Sequence, residues 1–223
     1  DSINHALSTA GTGGFSIKNS SIAAYDNAYF EYVITIFMLL FSINFNLFYL
    51  LLVRDFKAVL KNEELRYYLI IVGLSTLMIT MNILHLYPTA ESAFRHAFFQ
   101  VATITSTTGF FTANYEQWPE LSKTILVVLT MLGACGGSTG GGIKVSRFII
   151  LLKLTLREIR HIVHPRSVNI IRLEGQRISE ETIQGTTGYF ITYVLLLFGS
   201  LILVSFDNYD FTTSITAVIT TLG

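Results

Sequence analysis

Charge is what this sequence has least of. Only 13% of its 223 residues are Asp, Glu, Lys or Arg, against about 25% in an average soluble domain. That deficit excludes an ordinary water-facing surface. With 51% hydrophobic residues it also excludes a disordered chain. Neither sign is in excess, since 15 basic residues balance 15 acidic ones, so composition announces no face for nucleic acid. Cysteine occurs once, as Cys135, which excludes an internal disulfide framework and a cysteine-based zinc site. The first residues, DSINHALSTAGTGG, have neither the basic start nor the apolar core of a signal peptide, and no initiating Met. The sequence is therefore expected to be a piece of a longer chain.

What is present is long apolar sequence. A membrane-spanning helix needs about 20 mostly apolar residues. Residues 32–53, 67–90 and 182–206 carry no charge, and 121–143 carries only Lys123. Four spans are expected, the third long and interrupted by glycine. Arg54, Lys57, Lys61 and Arg66 follow the first span. Lys153, Arg157, Arg160, Arg166, Arg172 and Arg177 follow the third. Both clusters fall on one side, which the positive-inside rule makes cytoplasmic. Asp26, Glu91, Glu116, Glu120, Asp207 and Asp210 then face outward.

Between the second and third spans lies AESAFRHAFFQVATITSTTGFF. Its apolar stretch, 93–104, is too short to cross. Two readings stand: a re-entrant helix that turns back near mid-membrane, or an amphipathic helix on the surface. Repetition favours the first. Residues 2–16 (SINHALSTAGTGGFS), 92–112 and 211–223 (FTTSITAVITTLG) are each a short Ser/Thr/Ala-rich run, ending in a Thr/Gly tract in the first two and in Thr-Thr-Leu-Gly in the third. Thr12-Gly13-Gly14-Phe15 aligns with Thr107-Thr108-Gly109-Phe110. The repeating unit is span, re-entrant helix, Thr/Gly strand, span. Glycine lets carbonyl groups turn inward, and rings of carbonyls replace the hydration shell of a cation. The tracts hold no carboxylate, which suits a weakly held monovalent ion better than a hard divalent one. Close helix packing through small residues is the competing explanation.

The third span contains GACGGSTGGGIK, residues 133–144. Ile143 separates the last glycine from Lys144, and Val145 follows where a phosphate loop needs Ser or Thr. Each glycine costs a helix about 1 kcal/mol relative to Ala, so a broken helix is expected, with its loop facing a conduction path. Glycine-mediated helix packing is again the alternative. Lys144 and Arg147 follow the loop. A basic group within a span is usually functional, and Arg147 would repel cations if it faced a pore. Otherwise it snorkels to the cytoplasmic surface. His161 and His164 lack further ligands, and His85 and His96 read as interfacial. Trp118 and Tyr115 read as an outer interfacial anchor. No nucleophile motif is present, so an enzyme is not expected.

STTGFFTANYEQWP (106–119), GACGGSTGGGIKVSR (133–147) and HPRSV (164–168) together resemble the TrkH branch of the bacterial potassium transporters that also include KtrB. The resemblance covers essentially the whole chain. It implies an all-α membrane protein whose full chain sets four such units with four-fold pseudosymmetry around a pore. On that pattern residues 1–66 hold the end of the second repeat and a cytoplasmic loop. Residues 67–152 are the complete third repeat, 153–181 a basic cytoplasmic linker, and 182–223 the start of the fourth. The resemblance implies potassium as substrate and a selectivity filter at Gly11, Thr12, Gly13, Gly14, Ser106, Thr107, Thr108 and Gly109. It implies a gating loop at Gly136, Gly137, Ser138, Thr139, Gly140, Gly141 and Gly142, and a pore barrier at Arg147, with Lys144 beside it. It further implies location in the bacterial inner membrane, in contact with lipid, and a homodimer bound to a cytosolic TrkA-type ring. No cofactor is expected on this chain; a nucleotide, NAD or ATP/ADP, belongs to that ring. A KtrB-like sodium-dependent potassium transporter, or a non-transporting membrane scaffold, is the runner-up. The tract of the second repeat departs from that of the third, GTGGF against STTGF.

Overall fold

Helix starts in this chain are set by polar side chains at the edges of apolar runs. Asn27 Oδ1 accepts from Tyr29 N at 2.9 Å and Phe30 N at 3.3 Å, and α2 (Ala28–Phe41) begins there. Asn44 starts α3 (Phe45–Leu52), Asp55 starts α4 (Phe56–Lys61) and Asn62 starts α5 (Glu63–Ile83) in the same way. Thr89 and Ser92 form a reciprocal capping box for α6 (Ala90–Thr105). Such side chains satisfy N–H groups that a helix start otherwise leaves unpaired.

The computed structural model describes residues 1–164 and 170–223. Residues 165–168 of the HPRSV motif, Arg166 among them, lie outside the described residues. Before α2 comes the short α1 (Ser2–Ala10). After α6 come α7 (Glu120–Leu132), α8 (Val145–Val163), a two-stranded hairpin of β1 (Arg172–Leu173) and β2 (Gln176–Arg177), then α9 (Glu180–Ser205) and α10 (Phe211–Leu222). The described fold is thus helical apart from that hairpin. The segment expected as a linker holds the second half of α8 and the hairpin. Glu174 and Gly175, at φ 55° and 79°, supply the positive φ at both turn positions that a two-residue hairpin loop favours.

Among the described residues two helices are long and apolar enough to cross a membrane: Glu63–Leu86, with 24 residues, and α9, with 26. The first expected span is not continuous. Helices α2 and α3 meet at 93° across Ser42-Ile43-Asn44. Ser42 Oγ bonds back to Met38 O at 2.8 Å, and Asn44 Oδ1 accepts from Asn46 N at 2.9 Å, so local side-chain bonds compete with the helix ladder. The expected glycine break is present, between α7 and α8.

Helix α6 is the centre of the packing, set against α2, α5 and α7. Ala93, Ala97, Phe99, Val101 and Ala102 on it are all 0% exposed, so it is not an amphipathic helix lying on a surface. Small residues such as Ala93 and Ala97 permit close helix approach, which membrane packing depends on. Helix α9 is the opposite case: only 11% of its apolar window is buried within the chain. Leu195, Leu196, Phe198, Ile202 and Leu203 are exposed on it, as suits a lipid-facing helix.

Candidate functional site

The two Thr/Gly tracts end their helices by the same backbone device. After α1, Gly13 N donates to Ser8 O at 2.8 Å and Thr12 N to Thr9 O at 3.3 Å. After α6, Thr108 N donates to Thr103 O at 2.9 Å and Thr107 N to Ile104 O at 3.0 Å. This paired pattern is the Schellman motif, which places one residue in the left-handed region. That residue is a threonine in both cases, Thr12 at φ 49° and Thr107 at φ 55°. Two residues on, Gly14 and Gly109 also have positive φ, 67° and 89°. The tracts that align in sequence therefore align in conformation. Their flanks differ: Phe110 is 1% exposed, beside Ile22 and Met38, whereas Phe15 is 75% exposed.

The glycine loop is pinched off at its neck. Ala134 N donates to Gly141 O at 3.3 Å, Lys144 N to Leu132 O at 3.1 Å and Val145 N to Ala134 O at 3.0 Å. Gly133 and Gly142 lie back to back, so that a Cβ on Gly142 would sit 2.6 Å from Gly133 Cα. Gly133 belongs to this closure although the motif reading began the loop at Gly136.

Both Thr/Gly tracts and the end of α10 touch this loop. Thr12 Oγ1 lies 3.1 Å from Thr139 O. Gly141 N donates to Thr107 Oγ1 at 2.7 Å, and Gly142 N to Gly223 O at 2.9 Å. A Cβ on Gly140 would meet Ser106 O at 2.9 Å, and one on Gly14 would collide with Thr108 O. Ser106 is fully buried, with its hydroxyl 2.6 Å from Thr108 Oγ1. Gly11, Gly13 and Gly109 are exposed. The oxygens gathered here are carbonyls and hydroxyls. Among the described residues no group of three His, Cys, Asp or Glu is placed to hold a metal ion.

The loop also docks on the bend of the first span. Cys135 N donates to Ser42 O at 3.1 Å, Phe45 N to Gly137 O at 3.1 Å, and Thr139 Oγ1 to Phe41 O at 3.3 Å. Each break in a helix ladder supplies partners for the other, which is how non-helical backbone is accommodated at membrane depth. Ser138 Oγ closes onto Cys135 O at 2.6 Å.

Of the two basic residues, Lys144 is the one on the loop. Its Nζ donates to Gly140 O, and its backbone has φ 79°. Arg147 lies on the α9 side: its guanidinium carbon is 4.2 Å from the centroid of the Tyr189 ring, and Nη1 is 3.4 Å from Ile143 O. Stacking of this kind uses the flat cation and the ring face.

Sequence reasoning did not single out two carboxylates that lie buried in the first turns of their helices. Glu31 is 2% exposed on α2 and pairs with Arg95 of α6 at 2.6 Å. Glu64 is 5% exposed and accepts from Gly136 N at 2.7 Å and Ser146 N at 2.9 Å. Glu31 directly borders an uncharged run, but Leu65 and the charged Arg66 separate Glu64 from one, and neither position by itself signals burial. His96 is packed rather than interfacial, with its ring centroid 5.0 Å from that of Tyr87 and Nδ1 3.2 Å from Thr112 Oγ1. Trp118 is a correction too: it is 3% exposed and donates Nε1–H to Tyr87 OH at 3.1 Å, so it is held inside the chain and not in a lipid interface.

Comparison with known proteins places this geometry. The sequence profile of the TrkH family, cation transport protein, matches residues 1–223. The Trk system potassium uptake protein TrkH of Salmonella typhimurium is 32% identical over 100% of this chain and 47% of its own length. TrkG of Escherichia coli, also a Trk system potassium uptake protein, is 31% identical over 98% of this chain and 45% of its own. The crystal structure of the potassium transporter TrkH from Vibrio parahaemolyticus matches with a TM-score of 0.91 and 30% identity. That match covers 99% of this chain and 48% of the other. The chain spans about half the length of these relatives. Profile and fold agree over its whole extent, and the chain belongs to the TrkH family of cation transport proteins, which are membrane transporters and not enzymes.

Proposed function

We propose that this chain forms part of the pore of a Trk-type potassium uptake system in the bacterial inner membrane. One observation carries the reading: both Thr/Gly tracts and the end of α10 converge on one glycine loop, through Thr12, Thr107 and Gly223. In this reading Gly11–Gly14 and Ser106–Gly109 supply carbonyl and hydroxyl oxygens to a dehydrated potassium ion. The C-terminal ends of α1 and α6 add their partial negative charge. The loop from Gly136 to Gly142 lies across the inner side of the filter and closes it. Lys144 holds a positive charge against the loop, and Arg147, one turn on, completes the barrier from the α9 side.

The complete assembly in this proposal has four such units around the pore and two copies of the chain. A cytosolic TrkA-type ring binds the regulating nucleotide, NAD or ATP/ADP, and meets the basic stretch 153–178. The sequence resemblance is what supports this arrangement; the relatives' names support a Trk potassium uptake system.

Potassium uptake by the full-length chain in a transport-deficient host tests the proposal. Gly109 has φ 89° with open space where a Cβ would go, so Gly109→Ser is a conformational change without a clash. The strain is about 1–2 kcal/mol; its relief shifts the backbone carbonyls of the tract, and potassium-over-sodium selectivity should fall. Unchanged uptake and selectivity would sink the filter assignment.

A further inference from the structure

Three consecutive residues at the start of α5 each reach a different element. Asn62 caps α5 by accepting from Leu65 N at 2.7 Å, and its Nδ2 donates to Glu174 in the hairpin turn. Glu63 pairs with Lys153 on α8, whose ammonium also donates to Arg172 O at 2.7 Å. Glu64 turns the other way, into the protein, and its Oε1 accepts from both Gly136 N and Ser146 N.

Those two N–H groups stand on opposite sides of the glycine loop. Gly136 opens it, and Ser146 lies in the first turn of α8. Helix α8 has no side-chain cap of its own at Lys144 and no acidic residue in its first turn. A carboxylate from another helix fills that place, satisfying an orphan N–H and meeting the positive end of the helix. Capping alone would need only the bond to Ser146. The bond to Gly136 joins the far side of the loop to the same oxygen, and both bonds are charge-assisted. A Cβ on Gly136 would meet Ser146 Oγ at 3.0 Å and Glu64 Oε1 at 3.5 Å, so the clamp has no slack around it.

We infer that Glu64 is the positioning residue of the glycine loop, holding it where it meets the Thr/Gly tracts, and that Asn62 and Glu63 tie this clamp to the basic hairpin. The inference rests on the reading of that loop as the gate. Glu64 touches no ion in it and acts only through Gly136 N and Ser146 N. A force applied to the hairpin reaches the loop through three adjacent residues at the start of one helix, a polar route beside the apolar one by which Leu173 packs on the core.

The test uses the full-length chain in inside-out vesicles, with Cys135→Ala as background and a reporter cysteine introduced by Ser138→Cys. The rate of modification by a polar thiol reagent reads loop exposure. Glu64→Ala should raise that rate about tenfold or more, because two hydrogen bonds to a charged group are lost. Potassium flux should rise with it. Glu64→Gln keeps an acceptor oxygen and should return the rate most of the way to the parent value, a rescue that loss of bulk packing would not show. Glu174→Ala should raise the rate by less than Glu64→Ala. An unchanged rate in Glu64→Ala at normal membrane abundance overturns the inference. Should Glu64→Ala fail to accumulate, Glu64→Asp decides, since it keeps the charge but withdraws the oxygen by one methylene: a raised rate supports the clamp, and a parental rate overturns it. If the parent chain carries no potassium, the transport reading fails, while the modification rates still judge the clamp.

Discussion

Gly133→Ala will leave little folded protein in the membrane. Gly133 has φ 70° and ψ −158°, a combination that is essentially restricted to glycine. A Cβ there would lie 2.7 Å from Gly142 Cα and would collide with the Gly141 carbonyl oxygen. Both neighbours are backbone at the neck of the loop, so neither can rotate aside. Backbone strain of about 1–3 kcal/mol adds to overpacking of about 1–3 kcal/mol. Together these are a large part of the about 5–15 kcal/mol that holds a typical protein folded. The fraction of full-length protein that stays monodisperse after extraction and heating measures the effect. Gly185, Gly188 and Gly199 on α9 are the controls, since a Cβ on any of them meets nothing within 4 Å. Alanine there should leave the melting point unchanged or slightly raised. A Gly133→Ala protein that melts with the parent would mean that the neck is not closed as described.

The second large effect is expected at Glu31. Its carboxylate and the Arg95 guanidinium are 2.6 Å apart, with side-chain exposures of 3% and 14%. Arg95 also approaches Glu91 at 3.3 Å, and Glu91 accepts from Tyr32 OH at 3.0 Å, but Glu91 is 59% exposed and screened. Glu31→Ala therefore removes the buried partner and leaves a buried cation. Breaking such a pair costs about 3–5 kcal/mol, whereas replacing both members by apolar residues is often close to neutral. Thermal unfolding of Glu31→Ala, Arg95→Met and the Glu31→Met/Arg95→Met pair separates the two cases. The double variant should recover most of what either single one loses. If the single changes are harmless, the pair is not the strut between α2 and α6 that the packing describes. Because α6 ends directly in Ser106–Gly109, the tract proposed as the filter, the single variants should also weaken ion selectivity if that proposal holds.

The two helix breaks differ in how visibly they are written. Six glycines between 133 and 142 make the second unmistakable, because no helix tolerates that density. The first hides in Ser42-Ile43-Asn44, where no Gly or Pro appears, and a polar pair in the middle of an apolar run was its only mark. A capping side chain in a span reads from sequence as a tolerated polar residue until its partner is known. The side chains at this bend bond locally, while its freed backbone at Phe41, Ser42 and Phe45 pairs with Thr139 Oγ1, Cys135 N and Gly137 O, far along the chain. The internal repeat was legible because the Thr/Gly register fixes the Schellman turns, and the same register appears as matching φ values at Thr12 and Thr107. Glu31, Glu64 and Trp118 were not legible. Their burial comes from neighbours contributed by other helices, and no local pattern encodes that.

The interlocking of the two breaks has a consequence for the order of assembly. A chain made from its N-terminus at about 5–20 residues per second presents Ser42 about 5–20 seconds before Cys135 exists. During that interval the carbonyls of Phe41 and Ser42 lack the partners they finally have, Thr139 and Cys135. A straight helix through this stretch would satisfy them internally, and lipid penalises every unpaired backbone group. The first span therefore has reason to enter as one straight rod and to bend only when the glycine loop arrives to receive it. On this view the 93° bend is a late event of biogenesis, and a nascent chain halted before residue 133 should still carry that span unbent.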